Sequence, residues 1–282
     1  MKILVADGVS EKGIEILSKE FECEIRAKLP AEELLATIHE YDGLVVRSAS
    51  KVTKEVIEAA TNLKVIGRAG VGVDNIDIEA ATAKGIIVLN APEGNTIAAT
   101  EHTVAMMLSM ARNIPQAHSS VQNGEWKRNQ FVGVEMRGKT LGVIGLGRIG
   151  SGVAKRAIAF DMKVIGYDPY VNEERAKTMG IEVVSLEEIY ANADFISVHM
   201  PLTAQTKDLI NSETISKMKD GVYLVNCARG GIINEADLAE AVKAGKVAGA
   251  AIDVFAKEPI GPNSPLLGVD KIVVTPHLGA ST

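Results

Sequence analysis

The chain has 282 residues, of which 46% are hydrophobic and 23% charged, with a formal net charge of −6. That balance excludes a disordered chain, and the negative charge excludes a global basic field for nucleic acid. No apolar stretch approaches the length of a membrane span, and the N-terminus lacks the apolar core and cleavage site of a signal peptide. Cys23 and Cys227 are the only cysteines. They make no disulfide framework or metal cluster, and they suit a reducing, cytoplasmic compartment. No metal site is expected.

Short runs rich in Val and Ile recur along the chain. They are Ile3–Ala6, Leu44–Arg47, Val65–Gly67 and Ile86–Leu89, then Leu141–Ile144, Val164–Tyr167, Phe195–Val198, Tyr223–Asn226, Ala250–Ile252 and Ile272–Val274. Their apolar residues do not alternate with polar ones, so each reads as a strand buried on both faces. Helix-length segments lie between most of them. The segment from Pro30 to His39 opens with Pro at a plausible first helical position. Ser185-Leu-Glu-Glu188 has the spacing of a capping box. Asn234 to Gly245 has a cap candidate, acids in its first turn and a terminal Gly. Alternating strand and helix implies parallel sheets covered by helices.

The pattern breaks once. A long helix is expected from about Asn95 to Arg112, with Val104, Met107, Leu108 and Ala111 on one face. A looser, polar segment follows from Gln116 to Val134. The boundary is therefore placed near Pro92. Residues 1–92 read as a small flavodoxin-like α/β domain for substrate, and residues 93–282 as a larger Rossmann domain. The fold class is α/β, with two doubly wound parallel sheets.

Gly145-x-Gly147-x-x-Gly150 follows an apolar strand and opens a helical pattern, and the next strand ends at Asp168. An acid about twenty residues beyond such a loop completes the dinucleotide-binding layout. The first Gly allows the turn, the second lets a pyrophosphate approach, and the third packs helix on strand. Asp168 accepts from ribose hydroxyls and repels a 2′-phosphate, which favours NAD over NADP.

Three later strand ends carry ionisable groups: Arg229, then Asp253 with Glu258, then His277. Ligands of doubly wound sheets bind beyond such carboxyl ends. Hydride removal from a hydroxyl carbon needs a base for the hydroxyl proton, and His suits neutral pH. A carboxylate beside it orients the ring and stabilises the imidazolium. Arg grips a substrate carboxylate with two prongs. Asp253 is expected to accept from a nicotinamide carboxamide. His39, His102, His118 and His199 show no metal spacing and are not assigned chemistry, and Cys227 reads as a packed side chain.

These residues carry a resemblance. Val46-Arg-Ser-Ala49, Gly67–Asn75, Gly145–Gly150, Tyr167-Asp-Pro169, Val225–Gly231, Asp253-Val-Phe255 with Glu258-Pro259, and Pro276–Thr282 resemble the D-2-hydroxyacid dehydrogenase family over essentially the whole chain. The resemblance implies a catalytic set of Arg229, Glu258 and His277. It implies NAD contacts at Val71, Gly145, Gly147, Arg148, Ile149, Gly150, Asp168, Met200, Cys227, Ala228, Arg229, Asp253, His277, Leu278, Gly279 and Ala280. It implies a homodimer or higher homo-oligomer, with the segment beginning at Asn95–Arg112 dimerising the cofactor domain.

Among family members, those that oxidise 3-phospho-D-glycerate to 3-phosphohydroxypyruvate, at the entry to L-serine synthesis, match best. Arg47, Arg68, Gly70 and Arg128 are then the candidate substrate residues, with Arg128 supplied from a partner subunit. A glyoxylate or hydroxypyruvate reductase, a D-lactate enzyme and a non-catalytic NAD-responsive corepressor on the same fold are the rival readings. Family members continue past the His-Leu-Gly-Ala-Ser-Thr turn into a last helix, so the chain reads as a truncated form.

Overall fold

Every one of the 282 residues is described in a computed structural model of the chain. It divides into two units, Met1–Asn95 and Thr96–Thr282.

The first unit alternates strand and helix: β1 (Lys2–Val5), α1 (Glu11–Ser18), β2 (Glu22–Ile25), α2 (Ala31–Thr37), β3 (Gly43–Val46), α3 (Lys54–Ala59), β4 (Val65–Arg68), α4 (Ile78–Ala83) and β5 (Ile87–Asn90). Its sheet runs β2-β1-β3-β4-β5, and all pairs are parallel. That is the flavodoxin-like order. Leu4, Leu44, Val46 and Ile66 lie on one face and pack with Leu34, Ile38, Val56 and Ile57 of the helices. Asp77 caps α4 through its side chain, which accepts from Ala80 N–H.

The first unit corrects three expectations. β2, Glu-Cys-Glu-Ile, is a polar edge strand that an apolar-run criterion passes over. Pro30 is the N-cap of α2, not its first residue. β5 is not buried on both faces, since Ile87 is 61% and Leu89 56% exposed.

The second unit opens with α5 (Thr96–Ala111) and α6 (Ile114–Gln122). The expected loose segment is thus helical in its first part. Asn113 makes the break between the helices by taking a left-handed backbone, φ 51°, which Asn tolerates better than most residues. Then come β6 (Thr140–Ile144), α7 (Arg148–Ala159), β7 (Lys163–Tyr167), α8 (Glu173–Thr178), β8 (Glu182–Val183), α9 (Leu186–Asn192), β9 (Phe195–Val198), α10 (Ser212–Ser216), β10 (Val222–Asn226), α11 (Glu235–Lys243), β11 (Val247–Ile252) and β12 (Ile272–Val274). The sheet order is β12-β11-β10-β9-β6-β7-β8, all parallel. Order reverses between β6 and β9, so the crevice at the ends of those strands is the switch point where such sheets bind ligands.

The helices of this unit start where their caps dictate. Ser185 and Glu188 form the capping box of α9, and Asn234 accepts from Asp237 N–H at the head of α11. Such caps stabilise a helix by about 1 kcal/mol. α5 is buried on more than one side, including Thr100, Thr103, Met106, Met107 and Met110. A Cβ on Gly152 of α7 would meet Thr100 Oγ1 at 2.8 Å, so glycine lets the two helices cross closely. No helix is long and apolar enough to cross a membrane.

Candidate active site

The glycine turn sits between β6 and α7. Gly145 has φ +101°, a conformation L side chains rarely adopt, and a Cβ there would lie 2.6 Å from the His199 carbonyl oxygen. A Cβ on Gly150 would collide with the Gly145 carbonyl oxygen, so the helix can meet the turn only through glycine. Nothing lies within 4 Å of the Cβ position of Gly147. This open space over the backbone, at the head of helix α7, fits a pyrophosphate.

Beside the turn lies a cavity of about 340 Å³ whose lining includes Leu146, Gly147, Asp168, Arg175 and Ile181. The Asp168 carboxylate is held in place from two sides. Oδ2 accepts from Leu146 N–H at 2.9 Å and Oδ1 from Tyr170 N–H at 2.8 Å. Each oxygen keeps a lone pair for a ribose hydroxyl. The residues present therefore fit a dinucleotide, with pyrophosphate at Gly147 and adenosine ribose at Asp168. Met200 flanks the same turn, with its Cγ 3.0 Å from the Gly145 Cβ position.

β10, β11 and β12 are neighbours, with Asn226 opposite Ile252 and Ile252 opposite Val274. Their carboxyl ends carry Arg229, Asp253 and His277. Asn226 shapes the Cys227–Arg229 turn: its side chain accepts from Ala228 N–H and donates to the Arg229 carbonyl. The Arg229 guanidinium donates to the Ala228 carbonyl. A Cβ on Gly230 would strike the Phe255 carbonyl, so the turn bearing Arg229 lies against the segment that leads to Glu258.

Glu258 and His277 meet directly. His277 Nδ1 is 2.8 Å from Glu258 Oε2, and Glu258 Oε1 accepts from Phe255 N–H at 3.0 Å. A carboxylate only accepts, so Nδ1 carries a proton, and in the neutral ring Nε2 has the lone pair. Both side chains are partly exposed, 47% and 37%. This arrangement can take a proton at Nε2 while the carboxylate stabilises the resulting imidazolium.

His277 has φ +53°, unusual for a residue with a side chain, and such a conformation persists only where the surroundings impose it. Asp253 imposes it. Its backbone carbonyl accepts from His277 N–H at 2.9 Å. Oδ1 accepts from Leu278 N–H at 2.8 Å and from the Thr275 hydroxyl at 2.6 Å, and Oδ2 accepts from Gly279 N–H at 2.9 Å. His102 of α5 places Nε2 3.1 Å from Oδ1.

The Asp253 side chain exposes 0% of its surface. As folded, Asp253 is the anchor of the His277–Ala280 turn. His102 and Thr275 complete that anchor, and no local motif marks either of them.

His102, Cys227 and Asp253 place ligand-type atoms within 4.8 Å of one another, a cluster that sequence spacing does not show. Asp253 is committed to the turn, and burial pushes the Cys227 thiol up to about 12, so the thiol stays protonated. Cys227 is packing next to the turn, not a nucleophile. His199 bonds Ser197 Oγ at 2.8 Å through Nε2, and burial lowers it to about 4, leaving it neutral near pH 7.

In the first unit, Arg47, Ser48 and Ala49 form an exposed turn after β3. The buried Asp7 carboxylate accepts from Arg47 N–H, Ser50 N–H and the Ser50 hydroxyl at 2.6, 3.1 and 2.7 Å. The Asn75 amide donates to the carbonyls of Arg47 and Ser50 at 2.8 and 2.7 Å. Neither Asp7 nor Asn75 stands out by motif as a support for this turn. Arg68 ends β4 and folds over Gly70, where a Cβ would overlap its guanidinium. The Val71 carbonyl accepts from the Asn90 amide at 2.6 Å. Arg128 of the second unit lies exposed in a short 3₁₀ turn, Arg128–Gln130.

Residues 104–279 match the family described as D-isomer specific 2-hydroxyacid dehydrogenase, NAD binding domain. The chain belongs to that family, and its second unit is the NAD-binding domain. It is 55% identical over 283 aligned residues to a D-3-phosphoglycerate dehydrogenase of Archaeoglobus fulgidus, covering 100% of this chain and 54% of the relative. The chain thus spans about half the length of the curated relatives it matches. Among solved structures, a glyoxylate reductase from Paecilomyes thermophila superposes with a TM-score of 0.92 at 31% identity, covering 100% of this chain and 89% of that one. A D-lactate dehydrogenase from Aquifex aeolicus complexed with NAD and lactic acid gives 0.86 at 32% identity, covering 100% and 90%.

Proposed function

We propose that the chain oxidises 3-phospho-D-glycerate to 3-phosphohydroxypyruvate with NAD, the entry reaction of L-serine synthesis. The observation that carries the chemistry is the His277–Glu258 pair at 2.8 Å, on a turn anchored by Asp253 beyond the strand ends of a dinucleotide-binding sheet. The choice of acid is supported by relatives of 50–56% identity named D-3-phosphoglycerate dehydrogenase. It is also supported by the braced Arg47 turn, a ready cation for a phosphate.

NAD, when bound, accepts the hydride from the hydroxyl-bearing carbon. The chain's own residues do the rest. Arg229 holds the substrate carboxylate. His277 Nε2 takes the hydroxyl proton, and Glu258 stabilises the charge that forms on the ring. The Gly145–Gly150 turn and Asp168 fix the dinucleotide. Arg47 holds the phosphate, with Arg68 and Gly70 beside the substrate. The working form is a cytoplasmic homodimer. The exposed Ile114, Val121, Trp126 and Val132 of the segment after α5 supply the partner surface, and Arg128 reaches the partner's substrate.

The test is NADH formation from a panel of D-2-hydroxy acids. The highest kcat/KM is expected for 3-phospho-D-glycerate. A higher value for glycolate or D-lactate would overturn the choice of acid.

A further inference from the structure

Metal-ligating side chains that the proposed reaction leaves unused converge under the His277 turn. His102 and Met106 stand one turn apart on α5, Cys227 follows β10 and Asp253 follows β11. His102 Nε2 lies 3.1 Å from Asp253 Oδ1 and 3.3 Å from Thr275 Oγ1. These two ligand atoms and Cys227 Sγ all lie within 4.8 Å of one another. Met106 Sδ adds a second sulfur at the rim, 3.6 Å from Thr275 Oγ1. His102 exposes 18% of its side chain, so the group can be reached from solvent on that side.

We propose that His102, Cys227 and Asp253 form a binding site for a thiophilic divalent cation, Zn²⁺, which acts on the His277 turn from behind. N and O ligands of one tetrahedral Zn²⁺ stand about 3.3 Å apart, close to the spacing of His102 Nε2 and Asp253 Oδ1. Thiolate and imidazole select Zn²⁺ over Mg²⁺ or Ca²⁺, which take mostly oxygen. One thiolate and one carboxylate cancel the charge of the ion, so the buried group stays neutral. Binding forms a Zn–S bond, breaks the S–H bond of Cys227 and releases that proton to solvent. The His102–Asp253 contact opens to admit the ion, with the His102 proton carried on Nδ1. Leu278 N–H and Gly279 N–H stay on the carboxylate, so the turn remains tied to a residue that the ion now draws toward α5. Small displacements of an aligned proton acceptor cost large factors in rate.

The experiment is a titration of the chain with Co²⁺ as a coloured stand-in, followed by its thiolate-to-metal absorption band, with Zn²⁺ as competitor. The unmodified chain is expected to show the band and to lose it as Zn²⁺ displaces Co²⁺, while Mg²⁺ leaves it in place. Cys227→Ser should abolish the band, and His102→Gln should weaken binding by at least the roughly tenfold that loss of an outer partner costs a metal site. Cys23→Ser should keep the band, and so should His277→Ala, which removes the exposed His277–Glu258 pair as a rival site. Cys227→Ala, checked by thermal melting, serves where the Ser variant does not fold. No band in the unmodified chain, or a band that survives the change at Cys227 or is untouched by His102→Gln, would overturn the site. Zn²⁺ is also expected to slow NADH formation, reversibly on adding a chelator. Full turnover with the site filled would overturn the action on the turn. That last arm rests on the proposed reaction, whereas the absorption band does not, so the two failures are distinct.

Discussion

His277 Nδ1 stands 2.8 Å from Glu258 Oε2, and the residue that fixes the backbone under that ring is neither of the two but Asp253. On the proposed reading, the chain separates a group that moves a proton, a group that compensates its charge, and a group that holds the turn. Each can be removed alone.

Removing the proton carrier is the most damaging change. His277→Ala should lower kcat by roughly 10²–10⁴, the range for a lost general acid–base, while the glycine turn and Asp168 still bind nucleotide. Glu258→Gln keeps a hydrogen bond but not the charge, and should cost about tenfold. Steady-state kinetics check both, and near-normal turnover of His277→Ala would end the assignment.

Removing the anchor acts at one remove. Asp253→Asn loses the charge shared by Leu278 N–H, Gly279 N–H, the Thr275 hydroxyl and His102. A buried donor left without its acceptor costs about 1–3 kcal/mol. A fall in Tm together with a fall in kcat is expected, and His102→Gln, which keeps a donor, should show a smaller version of both. A loss of stability with unchanged kcat would mean that the turn is not what aligns His277.

The Arg47 turn bears on the choice of acid. Arg47→Ala should raise KM for 3-phospho-D-glycerate roughly ten- to a hundredfold, the worth of a charge-assisted phosphate contact. Turnover of unphosphorylated acids should barely change. Asp7→Asn, which loosens the brace under the turn, should act in the same direction more weakly. Equal loss on both substrate classes would show that Arg47 serves the scaffold or the common carboxylate.

His199 makes stability depend on acid. Burial depresses it to about 4 in the folded chain against 6.5 for the free side chain. The unfolded chain therefore binds the proton first. The contribution of the neutral ring to stability is present above about pH 6.5 and is lost as pH falls toward 4. Denaturant melts between those limits should show the loss, and His199→Asn should flatten it. A variant with the same acid dependence would place the titration elsewhere.

The central strands of the second unit were legible because β6, β9 and β10 are buried on both sides and carry unbroken apolar runs. β2 was not, since an edge strand reading Glu-Cys-Glu-Ile has no such run, and β8 has only two residues. α6 is polar enough to pass for a loop, and its start depends on the backbone of Asn113. At the site, the glycine turn and Asp168 were legible because each lies within one strand–turn–helix unit. His102 and Thr275 were not, because 173 positions separate them and only the crossing of α5 over the sheet brings them together. Asp7 reaches Arg47 across 40 positions in the same way.

The central claim is that hydride leaves the substrate carbon for NAD while His277 takes the hydroxyl proton. Its most direct measurement uses 3-phospho-D-glycerate carrying deuterium on the hydroxyl-bearing carbon. The account predicts that the label appears in the NADH formed, and that the His277→Ala variant loses label transfer in proportion to its loss of kcat. Deuterium released to water, or label transfer untouched by His277→Ala, would contradict it.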